Sequence, residues 1–541
     1  MATFDSAFAA LDAHVKQLMD FYRTPGLALA VTDRAGPIKI SAYGLADIDS
    51  EKPVTPGTLF EIGSIGKTFT AIAVMRAHEA GLVDLNAPVT QYLPWFEIRT
   101  EFTPITLHHL LTHTAGLIEG TDFAPDGKAE VWGLREIEAG FAPGEHFHYS
   151  NVGYKVLGYV LASVTGKPYG EILSEGILEP AGMGSTEPVI LNRIRPRLAR
   201  GYRYLHDDRP PHSSHPLVPA AWLETDTGDG SIASTAEDMA AFARLLLNRG
   251  TAEGGPVLSG KSFDFLTSRL AHERDEWYYG YGIYAYREDG VEYLAHGGDM
   301  PGYEASLWCD LNSGLGIVVL MTTPGARGLS FPALQLLRAA ARGEPLPELE
   351  APPDPARVEN VADYEGEYTC GDRSIRLAAR GDSLVLETGG RNVALEARGP
   401  DRFYVDDPEF CIYLLSFGRV GEAGTVTEAV YGPDVYLRSG AAAERAPKPG
   451  ADFPAEWEAY PGHYRSHDPW LTNFRVIFRR GQLFIVESHG DEEPLHPLED
   501  GRFRVGEEEF SPERIGFDQV ADGKALRANR SGCHFYRFFT P

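Results

Sequence analysis

The chain has 541 residues, of which 43% are hydrophobic and 23% are charged, and its formal net charge is −28. This length predicts two to four domains, and the composition is typical of a globular protein with enough apolar residues for a core. The negative charge argues against nucleic acid and against anionic membrane as the main partner. No segment approaches the roughly 18 consecutive apolar residues that a membrane-spanning helix needs.

The N-terminal residues predict an amphipathic helix. Apolar side chains recur at helical spacing between Phe4 and Met19, and no basic segment precedes an apolar core as in an export signal. The cysteines also lack the spacing of metal ligands, so we expect reduced thiols in a cytoplasmic protein. They are Cys309, Cys370, Cys411 and Cys533.

Helical and strand patterns alternate from residue 1 to about residue 345. Two helices end at glycine, as helix C-termini prefer. The predicted elements are, in chain order, paired strands at 25–33 and 38–47, helices at 67–81, 150–166 and 234–250, a hairpin at 303–323 and a closing helix at 332–343.

The composition changes after this region. Residues 343–360 are rich in Pro and Glu and predict a linker, and short alternating segments then indicate an all-β structure. A Tyr-x-Gly-x-Tyr motif at Tyr364 recurs at Tyr460, beyond a second linker at 439–459. We therefore predict two duplicated lipocalin-like β-barrels, with chance similarity of two β domains as the alternative. The predicted domains are 1–345, 358–440 and 455–541.

The segment around Ser64 predicts a nucleophile. Ser64 follows a glycine and lies three residues before Lys67 at the start of a helix, so both side chains project from one face. A serine hydroxyl needs a neighbouring base, and a lysine can be that base only when it is neutral. The helix N-terminus also favours developing negative charge. Alone, this spacing is weak evidence and favours an N-capping serine beside a solvated lysine.

Two further motifs favour the catalytic interpretation. Tyr149 and Asn151 lie just before another helix, where a tyrosine can exchange a proton with the lysine and an amide can bind a substrate carbonyl. His296, Gly297 and Gly298 lie on a predicted edge strand, whose glycines allow the close approach of a ligand.

In this order the three motifs resemble the serine β-lactamase and penicillin-binding-protein superfamily, and most closely its class C-like branch. The resemblance extends over residues 105–117, 177–186 and 278–286. It implies a multi-domain protein with an α/β β-lactamase-like domain, in which an antiparallel sheet is flanked by helices beside a helical subdomain. The two all-β barrels follow that domain.

The resemblance also assigns roles. Ser64 is the acylated nucleophile, Lys67 activates it, and Tyr149 shuttles protons. Asn151 orients the substrate, and His296 polarises Tyr149 or faces the substrate. Gly297, Gly298 and Asp299 belong to the substrate-binding strand, and the backbone N–H groups of Ser64 and Asp299 bind the oxyanion. Neither a metal nor a cofactor is implied.

The third motif bears on the substrate. Relatives that act on carboxylate-bearing substrates have threonine where this chain has Gly297, and here Asp299 adds an acid. Both differences disfavour an anionic substrate end. The three-domain arrangement resembles D-stereospecific aminopeptidases, in which a loop of the last barrel enters the cleft and supplies an acid for the substrate amine. Residues 498–514 are the acidic candidate for that loop.

Two histidine groups are assigned structural roles. His109 and His113 have a metal-compatible spacing but no accompanying glutamate base, and the polar loop 206–216 predicts a solvated rim.

The leading hypothesis is a cytoplasmic, metal-independent aminopeptidase or amidase that acts on a small molecule or short peptide. The alternatives are a carboxylesterase, a D-Ala-D-Ala carboxypeptidase or β-lactamase-like protein, and a covalent sensor of acyl ligands without turnover. A homodimer is compatible with the sequence.

Overall fold

The computed structural model describes residues 4–120, 126–326, 328–421, 424–440 and 453–539. Most of the second predicted linker lies outside these ranges. None of the helices within them is long and apolar enough to cross a membrane. The four cysteines are all free thiols. The helices of the described α/β domain are α1 Asp5–Tyr22, α2 Gly66–Glu79, α3 Leu107–Leu111, α4 Gly127–Gly133, α5 Asn151–Thr165, α6 Tyr169–Leu173, α7 Glu179–Ala181, α8 Ala236–Leu247, α9 Gly260–Leu266 and α10 Ser330–Arg342.

The strands of this domain form one large antiparallel sheet and three short pairs. They are β1 Gly26–Thr32, β2 Pro37–Asp47, β3 Lys52–Pro53, β4 Phe60–Glu61, β5 Tyr202–Tyr204, β6 Leu217–Pro219, β7 Ala233–Ser234, β8 Thr251–Ala252, β9 Gly255–Pro256, β10 Ala271–Arg274, β11 Trp277–Tyr279, β12 Tyr284–Glu288, β13 Val291–Met300, β14 Tyr303–Asp310 and β15 Leu315–Thr322. The large sheet has the order β10-β11-β12-β13-β14-β15-β1-β2-β3.

The middle of this sheet is buried on both faces because helices cover each side. Alternate side chains of β15 divide between two cores. Ile317 and Val319 pack with α1 and α10 on one face. Val318 and Leu320 pack with α2 and α8 on the other. The predicted paired strands, the late hairpin and the closing helix are therefore confirmed.

Two closed antiparallel barrels follow, as the alternating pattern predicted. The first contains β16 Gly366–Cys370, β17 Arg373–Arg380, β18 Ser383–Thr388, β19 Arg391–Gly399, β20 Arg402–Val405, β21 Leu415–Val420, β22 Thr425–Tyr431 and β23 Asp434–Arg438. The second contains β24 Gly462–Arg465, β25 Asn473–Arg479, β26 Gln482–Glu487, β27 Glu492–Pro497, β28 Phe503–Val505, β29 Arg514–Ala521, β30 Lys524–Arg530 and β31 Cys533–Arg537.

The repeated tyrosine motif closes both barrels in the same way. The Tyr368 hydroxyl donates to the Tyr364 carbonyl at 2.8 Å, and the Tyr464 hydroxyl donates to the Tyr460 carbonyl at 2.7 Å. Each second tyrosine also pairs with an arginine of the last strand, Tyr368 with Arg438 and Tyr464 with Arg537. This shared closure supports duplication over chance similarity.

Candidate active site

The nucleophile candidate lies at the entry to α2. Ser64 belongs to a 3₁₀ turn, Gly63–Ile65, that leads directly into the helix. Lys67 is completely buried. Its Nζ donates to Ser64 Oγ at 2.9 Å, to Asn151 Oδ1 at 2.6 Å and to the Asp229 carbonyl at 2.8 Å. A neutral Lys67 would keep the last two bonds and turn its lone pair toward Ser64, which is the geometry of a general base.

The turn that carries Ser64 packs backbone to backbone against β13. A Cβ on Gly298 would lie 1.9 Å from the Ile62 carbonyl oxygen. A Cβ on Gly63 would lie 2.7 Å from the Asp299 nitrogen. Gly63 also has a φ of 49°, a left-handed conformation that glycine adopts at little cost. Only glycines allow this contact, which brings the backbones of Ser64 and Asp299 together, as an oxyanion hole formed by their N–H groups requires.

The prediction that the His296–Gly298 segment lies on an edge strand is wrong for the strand as a whole. β13 lies between β12 and β14. Its pairing with β12 ends at Ala295, however, whereas its pairing with β14 continues to Met300. From His296 onward, one side of β13 is therefore free of strand pairing and faces the Ser64 turn. The strand extends beyond its shorter neighbour, and this leaves a local edge that the sequence pattern does not distinguish from a true one.

Tyr149 lies beside the Ser64–Lys67 pair. Lys67 Nζ is 4.9 Å from the centre of the Tyr149 ring. Burial raises the pKa of Tyr149 well above 10, although a hydrogen bond with Ser64 opposes the shift. Tyr149 is therefore a neutral phenol at physiological pH, which suits a proton donor to a leaving group.

Asn151 is positioned by the start of α5. Ser150 caps the helix, because its Oγ accepts from Gly153 N at 3.1 Å and donates to the Ile118 carbonyl at 2.7 Å. The Ser150 N–H in turn donates to His113 Nδ1 at 2.9 Å. The Tyr149–Asn151 segment is thus fixed on both sides, which explains how one tripeptide supplies two side chains to the site.

His113 and His109 have separate partners. His113 is buried, with Nδ1 bonded to Ser150 and its ring centre 4.2 Å from that of Tyr149. His109 Nδ1 lies 3.1 Å from Thr106 Oγ1 at the start of α3. These contacts are structural.

His296 is buried and neutral. Its Nδ1 donates to the Gly297 carbonyl at 2.6 Å, so its Nε2 accepts from the Tyr279 hydroxyl at 3.0 Å. Burial lowers the pKa of His296 to about 3, with a smaller contribution from Lys67. The partner of Nε2 is Tyr279 rather than Tyr149. Tyr279 packs edge-on against Tyr149, with ring centres 6.3 Å apart, and sequence reasoning missed it.

A cavity of about 500 Å³ joins the predicted site residues. It is lined, among others, by Ser64, Tyr149, Asn151, His296, Gly297 and Asp299. Lys67 and Gly298 lie behind this surface, against Ser64. The cavity wall also includes Trp470, which belongs to the second barrel. A neighbouring cleft of about 1130 Å³ shares Tyr149, Asn151 and Trp470 and extends over residues 505–508 of that barrel.

Two acidic residues, Glu119 and Glu513, meet where the second barrel reaches the cleft. Glu513 Oε1 accepts from the Glu119 backbone N–H at 2.7 Å and lies 3.4 Å from His148 Nε2. The Glu119 side chain opens into the cleft, with Oε1 3.5 Å from Asn151 Nδ2. Glu513 belongs to the acidic segment 498–514 that the sequence indicated.

The two acids have very different pKa values. Desolvation by the surrounding cleft walls, followed by repulsion from Glu513, raises the pKa of Glu119 to about 6, although its side chain still reaches solvent through the cleft. Burial also acts on Glu513, but hydrogen bonds from His148, Ser531 and the Glu119 backbone lower its pKa to about 2. Both groups are therefore mainly ionised at neutral pH.

Comparison with known proteins places this geometry in a family. The model of the Beta-lactamase family matches residues 11–341. The chain belongs to the Beta-lactamase family. It is therefore a serine hydrolase of the β-lactamase and penicillin-binding-protein superfamily.

Three curated relatives differ in their described activities. Penicillin-binding protein 4 of Amycolatopsis lactamdurans is 29% identical over 66% of this chain and 97% of its own length. Esterase EstB of Burkholderia gladioli is 35% identical over 33% of this chain and 50% of its own length. D-aminopeptidase of Brucella ovis is 25% identical over 72% of this chain and 71% of its own length.

A solved structure supports the fold. The octameric penicillin-binding protein homologue from Pyrococcus abyssi aligns with a TM-score of 0.59 and 22% identity, over 80% of this chain and 100% of its own.

The domain characteristic of the family is docked to the second barrel by aromatic and ionic contacts. Phe510 stacks on His146 with ring centres 4.0 Å apart and planes 3° from parallel. Arg502 donates to Glu138 at 2.9 Å. The second barrel is therefore held against the α/β domain on both sides of strand β28, by Arg502 before the strand and by Phe510 after it.

A second buried lysine supports the site from behind. Lys155 forms an ion pair with Glu130 and lies 3.8 Å from Asp229 Oδ2. The Asp229 backbone carbonyl accepts from Lys67, so this pair helps to hold an acceptor of the Lys67 amine. Sequence reasoning missed this group, because its members are 25 and 74 residues apart and no short motif contains them.

Proposed function

We propose that the protein is an aminopeptidase or amidase that releases a small, D-configured N-terminal residue through an acyl-enzyme on Ser64. The observation that carries this proposal is the Glu119–Glu513 pair, in which the Glu119 carboxylate lies beside Asn151 at the edge of the nucleophile cavity and the Glu513 carboxylate binds the Glu119 backbone. An α-ammonium group is the part of an aminopeptidase substrate that such a pair would bind.

The chemistry follows from the contacts of Ser64. Ser64 Oγ attacks the substrate carbonyl and gives its proton to neutral Lys67, which keeps its bonds to Asn151 and Asp229. The oxyanion forms beside the Ser64 and Asp299 backbones. Tyr149, protonated in the resting state, donates a proton to the leaving amine as the acyl-enzyme forms. Water then attacks the ester carbonyl and gives a proton to the Tyr149 phenolate. Protonated Lys67 returns its proton to Ser64 Oγ as the ester bond breaks, so the acyl group leaves as an acid and both side chains recover their resting states.

The electrostatics of the cavity favour a cationic substrate end. Its lining includes four acids, Glu119, Asp229, Glu273 and Asp299. Gly297 supplies no hydroxyl that could bind a substrate carboxylate. A substrate with a free amine next to the reacting carbonyl matches this charge distribution better than one with a carboxylate.

The size and the configuration of the proposed substrate residue are supported by two different observations. Trp470 and the Phe510 loop stand over the cleft and restrict the acyl side to small groups. The D configuration rests on the described activity of the D-aminopeptidase relative.

A carboxylesterase is the second candidate. The same catalytic groups cleave esters, whose leaving alcohols depart more easily than amines, and EstB is an esterase in name. In that case the acid pair would make no contribution to turnover, because a neutral ester has no ammonium group.

The deciding experiment compares four chromogenic substrates with the full-length chain. They are the D-alanine and L-alanine p-nitroanilides, N-acetyl-D-alanine p-nitroanilide and p-nitrophenyl butyrate. We expect cleavage of the D-anilide, much weaker cleavage of its L isomer, and loss of activity on acetylation. Ser64→Ala should abolish all turnover while leaving the far-UV circular dichroism unchanged, and undiminished turnover in that variant would refute the mechanism.

Variants of Glu119 separate the two candidates. Glu119→Gln should lower kcat/KM for the free amine roughly 10- to 100-fold, the value of one charged hydrogen bond, and leave butyrate hydrolysis unchanged. Glu101→Gln, an exposed acid outside the cleft lining, is the matched control. Cleavage of the ester alone, with neither alanine anilide touched, would assign the protein to the esterases.

A further inference from the structure

The loop at residues 206–216 lies at the junction of all three domains, and its prediction as a solvated rim is wrong. Asp207 accepts from Arg465 of the second barrel at 2.7 Å, and its carbonyl accepts from Asn473 Nδ2 at 2.8 Å. His212 and His215 are each only 7% exposed. The loop is polar because it contacts two neighbouring domains, a role that composition alone does not distinguish from solvent exposure.

Three side chains of this junction converge in space. One ring nitrogen each of His212 and His215 and one oxygen of Asp406 lie within 4.8 Å of one another. Asp406 follows strand β20 of the first barrel, so the group spans two domains. His212 Nδ1 and Asp406 Oδ2 are 3.7 Å apart. Two ligands of a tetrahedral zinc ion are separated by about 3.3 Å, given bond lengths near 2.0 Å, so small side-chain rotations suffice.

His212 has the tautomer that a metal ligand needs. Its Nε2 lies 2.9 Å from Glu396 Oε1, which can only accept, so the proton is on Nε2. Its Nδ1 accepts from the Ser214 backbone N–H at 3.2 Å. The Nδ1 lone pair also faces the Ser214 hydroxyl, whose Oγ lies 2.6 Å from Nδ1 and 3.5 Å from Asp406 Oδ2. A cation bound between His212 and Asp406 would replace this hydroxyl, while the Glu396 carboxylate holds the opposite nitrogen. Metal-binding histidines have this carboxylate–histidine arrangement.

His215 provides an independent observation. Its Nδ1 is fully buried and has no hydrogen-bond partner. Its Nε2 lies 3.4 Å from the Tyr404 hydroxyl. A buried nitrogen without a partner is costly, and a bound cation would remove that cost.

We propose that His212, His215 and Asp406 form a structural binding site for a divalent transition metal, most simply zinc, that joins the α/β domain to the first barrel. Two imidazoles and one carboxylate are donors that Zn²⁺ accepts, and a fourth position is open to water. The site is separate from the Ser64 cavity, so the ion would act on domain association and not on the reaction.

Metal binding to tag-free, full-length protein tests the proposal directly. The protein is stripped with EDTA, loaded with zinc sulfate, desalted, and measured for zinc by mass spectrometry, and affinity is measured by competition with a chromophoric chelator. We expect about one zinc per chain for the unmodified protein, and a rise in the temperature of unfolding upon loading. His206→Gln, a change of an exposed histidine in the same loop, should retain the zinc.

The substitutions should differ in how strongly they weaken zinc binding. His212→Gln and Asp406→Asn should each weaken zinc binding by more than roughly 100-fold, because they remove direct ligands. Glu396→Gln, which acts through His212, should weaken it roughly 10- to 100-fold. Asp406 is about half exposed, so its isosteric replacement tests the site without disturbing a core. p-Nitrophenyl butyrate hydrolysis and circular dichroism verify that each variant is folded.

Two results would overturn the proposal. The unmodified protein could lose all zinc on desalting, which would show that His212, His215 and Asp406 connect the two domains through hydrogen bonds alone. Alternatively, His212→Gln and Asp406→Asn could retain as much zinc as the unmodified protein, which would place the bound ion elsewhere.

Discussion

Replacing Gly298 with alanine should lower the activity of the enzyme roughly 100-fold without unfolding it. The new Cβ would lie 1.9 Å from the Ile62 carbonyl oxygen, whereas real Cβ contacts are at least 3.0 Å, so the two backbones must separate by about 1.1 Å. β13 is held by β14, through the pairing of Gly298 with Ala305, so the strand and the Ser64 turn have little room to adjust. A displacement of 1 Å at the reacting atoms costs roughly 100-fold in rate, equivalent to about 2.7 kcal/mol of barrier.

The assay is the steady-state rate on D-alanine p-nitroanilide and p-nitrophenyl butyrate, with thermal unfolding followed by circular dichroism. kcat/KM should fall roughly 100-fold on any substrate that the enzyme turns over, because the oxyanion contacts are common to both. Gly297→Ala is the matched control, since its Cβ would meet only the Ala305 carbonyl at 3.9 Å. It should retain kcat/KM within about 10-fold. Activity of Gly298→Ala close to that of the unmodified protein would refute the idea that this backbone contact aligns the nucleophile.

Three further predictions concern the cleft. First, the pKa of Glu119 is raised to about 6, so kcat/KM for free amines should fall as the pH drops through 6. The Glu119→Gln variant should lack this step. If the variant and the unmodified protein had the same pH profile, Glu119 would be excluded from amine binding. Second, the Glu513 pKa is lowered from 4.5 to about 2, so Glu513 stabilises the fold above pH 4.5 and that stability is lost as the pH falls toward 2. Glu513→Gln should therefore lose at most about 3 kcal/mol at pH 7, and its deficit in urea unfolding should shrink between pH 4.5 and 2; a pH-independent deficit would contradict the assignment. Third, Trp470→Ala should raise kcat/KM for D-alanyl peptides with bulky groups relative to the anilide, and an unchanged ratio would show that Trp470 does not limit substrate size.

The sequence predicted those features that depend on interactions between residues close together in the chain. The strands around residues 26–47 and the helix after Ser64 follow from periodicity and from glycine placement. The barrels follow from alternation and from the repeated tyrosine motif, whose function in barrel closure then appears in the hydrogen bonds of Tyr368 and Tyr464. The motifs around Ser64, Tyr149 and His296 converge because each one lies at a strand or helix end that the fold directs toward one cavity.

Other features depend on contacts between distant segments. Glu513 lies 394 residues from Glu119, and the relevant contact is to a backbone N–H, which leaves no compositional trace. The local edge at His296 depends on where β12 stops pairing with β13. The burial of His212 depends on the first barrel, whose Glu396 lies 184 residues later in the chain. Sequence patterns report which face of an element is apolar, but not which remote loop covers it.

The acid pair also gives a physical reason why the α/β domain and the second barrel would have different roles in the reaction. The groups that contact Ser64 all come from the α/β domain, whereas the carboxylate opposing Glu119 comes from the second barrel. Two neighbouring carboxylates repel one another, and the raised pKa of Glu119 records part of that cost. Under the proposed function, a substrate ammonium group would neutralise part of this repulsion when it binds between the carboxylates. The relief of the repulsion present in the substrate-free enzyme would therefore favour binding of a cationic substrate. The barrel would then determine which substrate binds, and the α/β domain would determine how fast the substrate carbonyl is attacked. Substitutions of Glu513 should therefore change mainly KM, and substitutions of Lys67 should change mainly kcat.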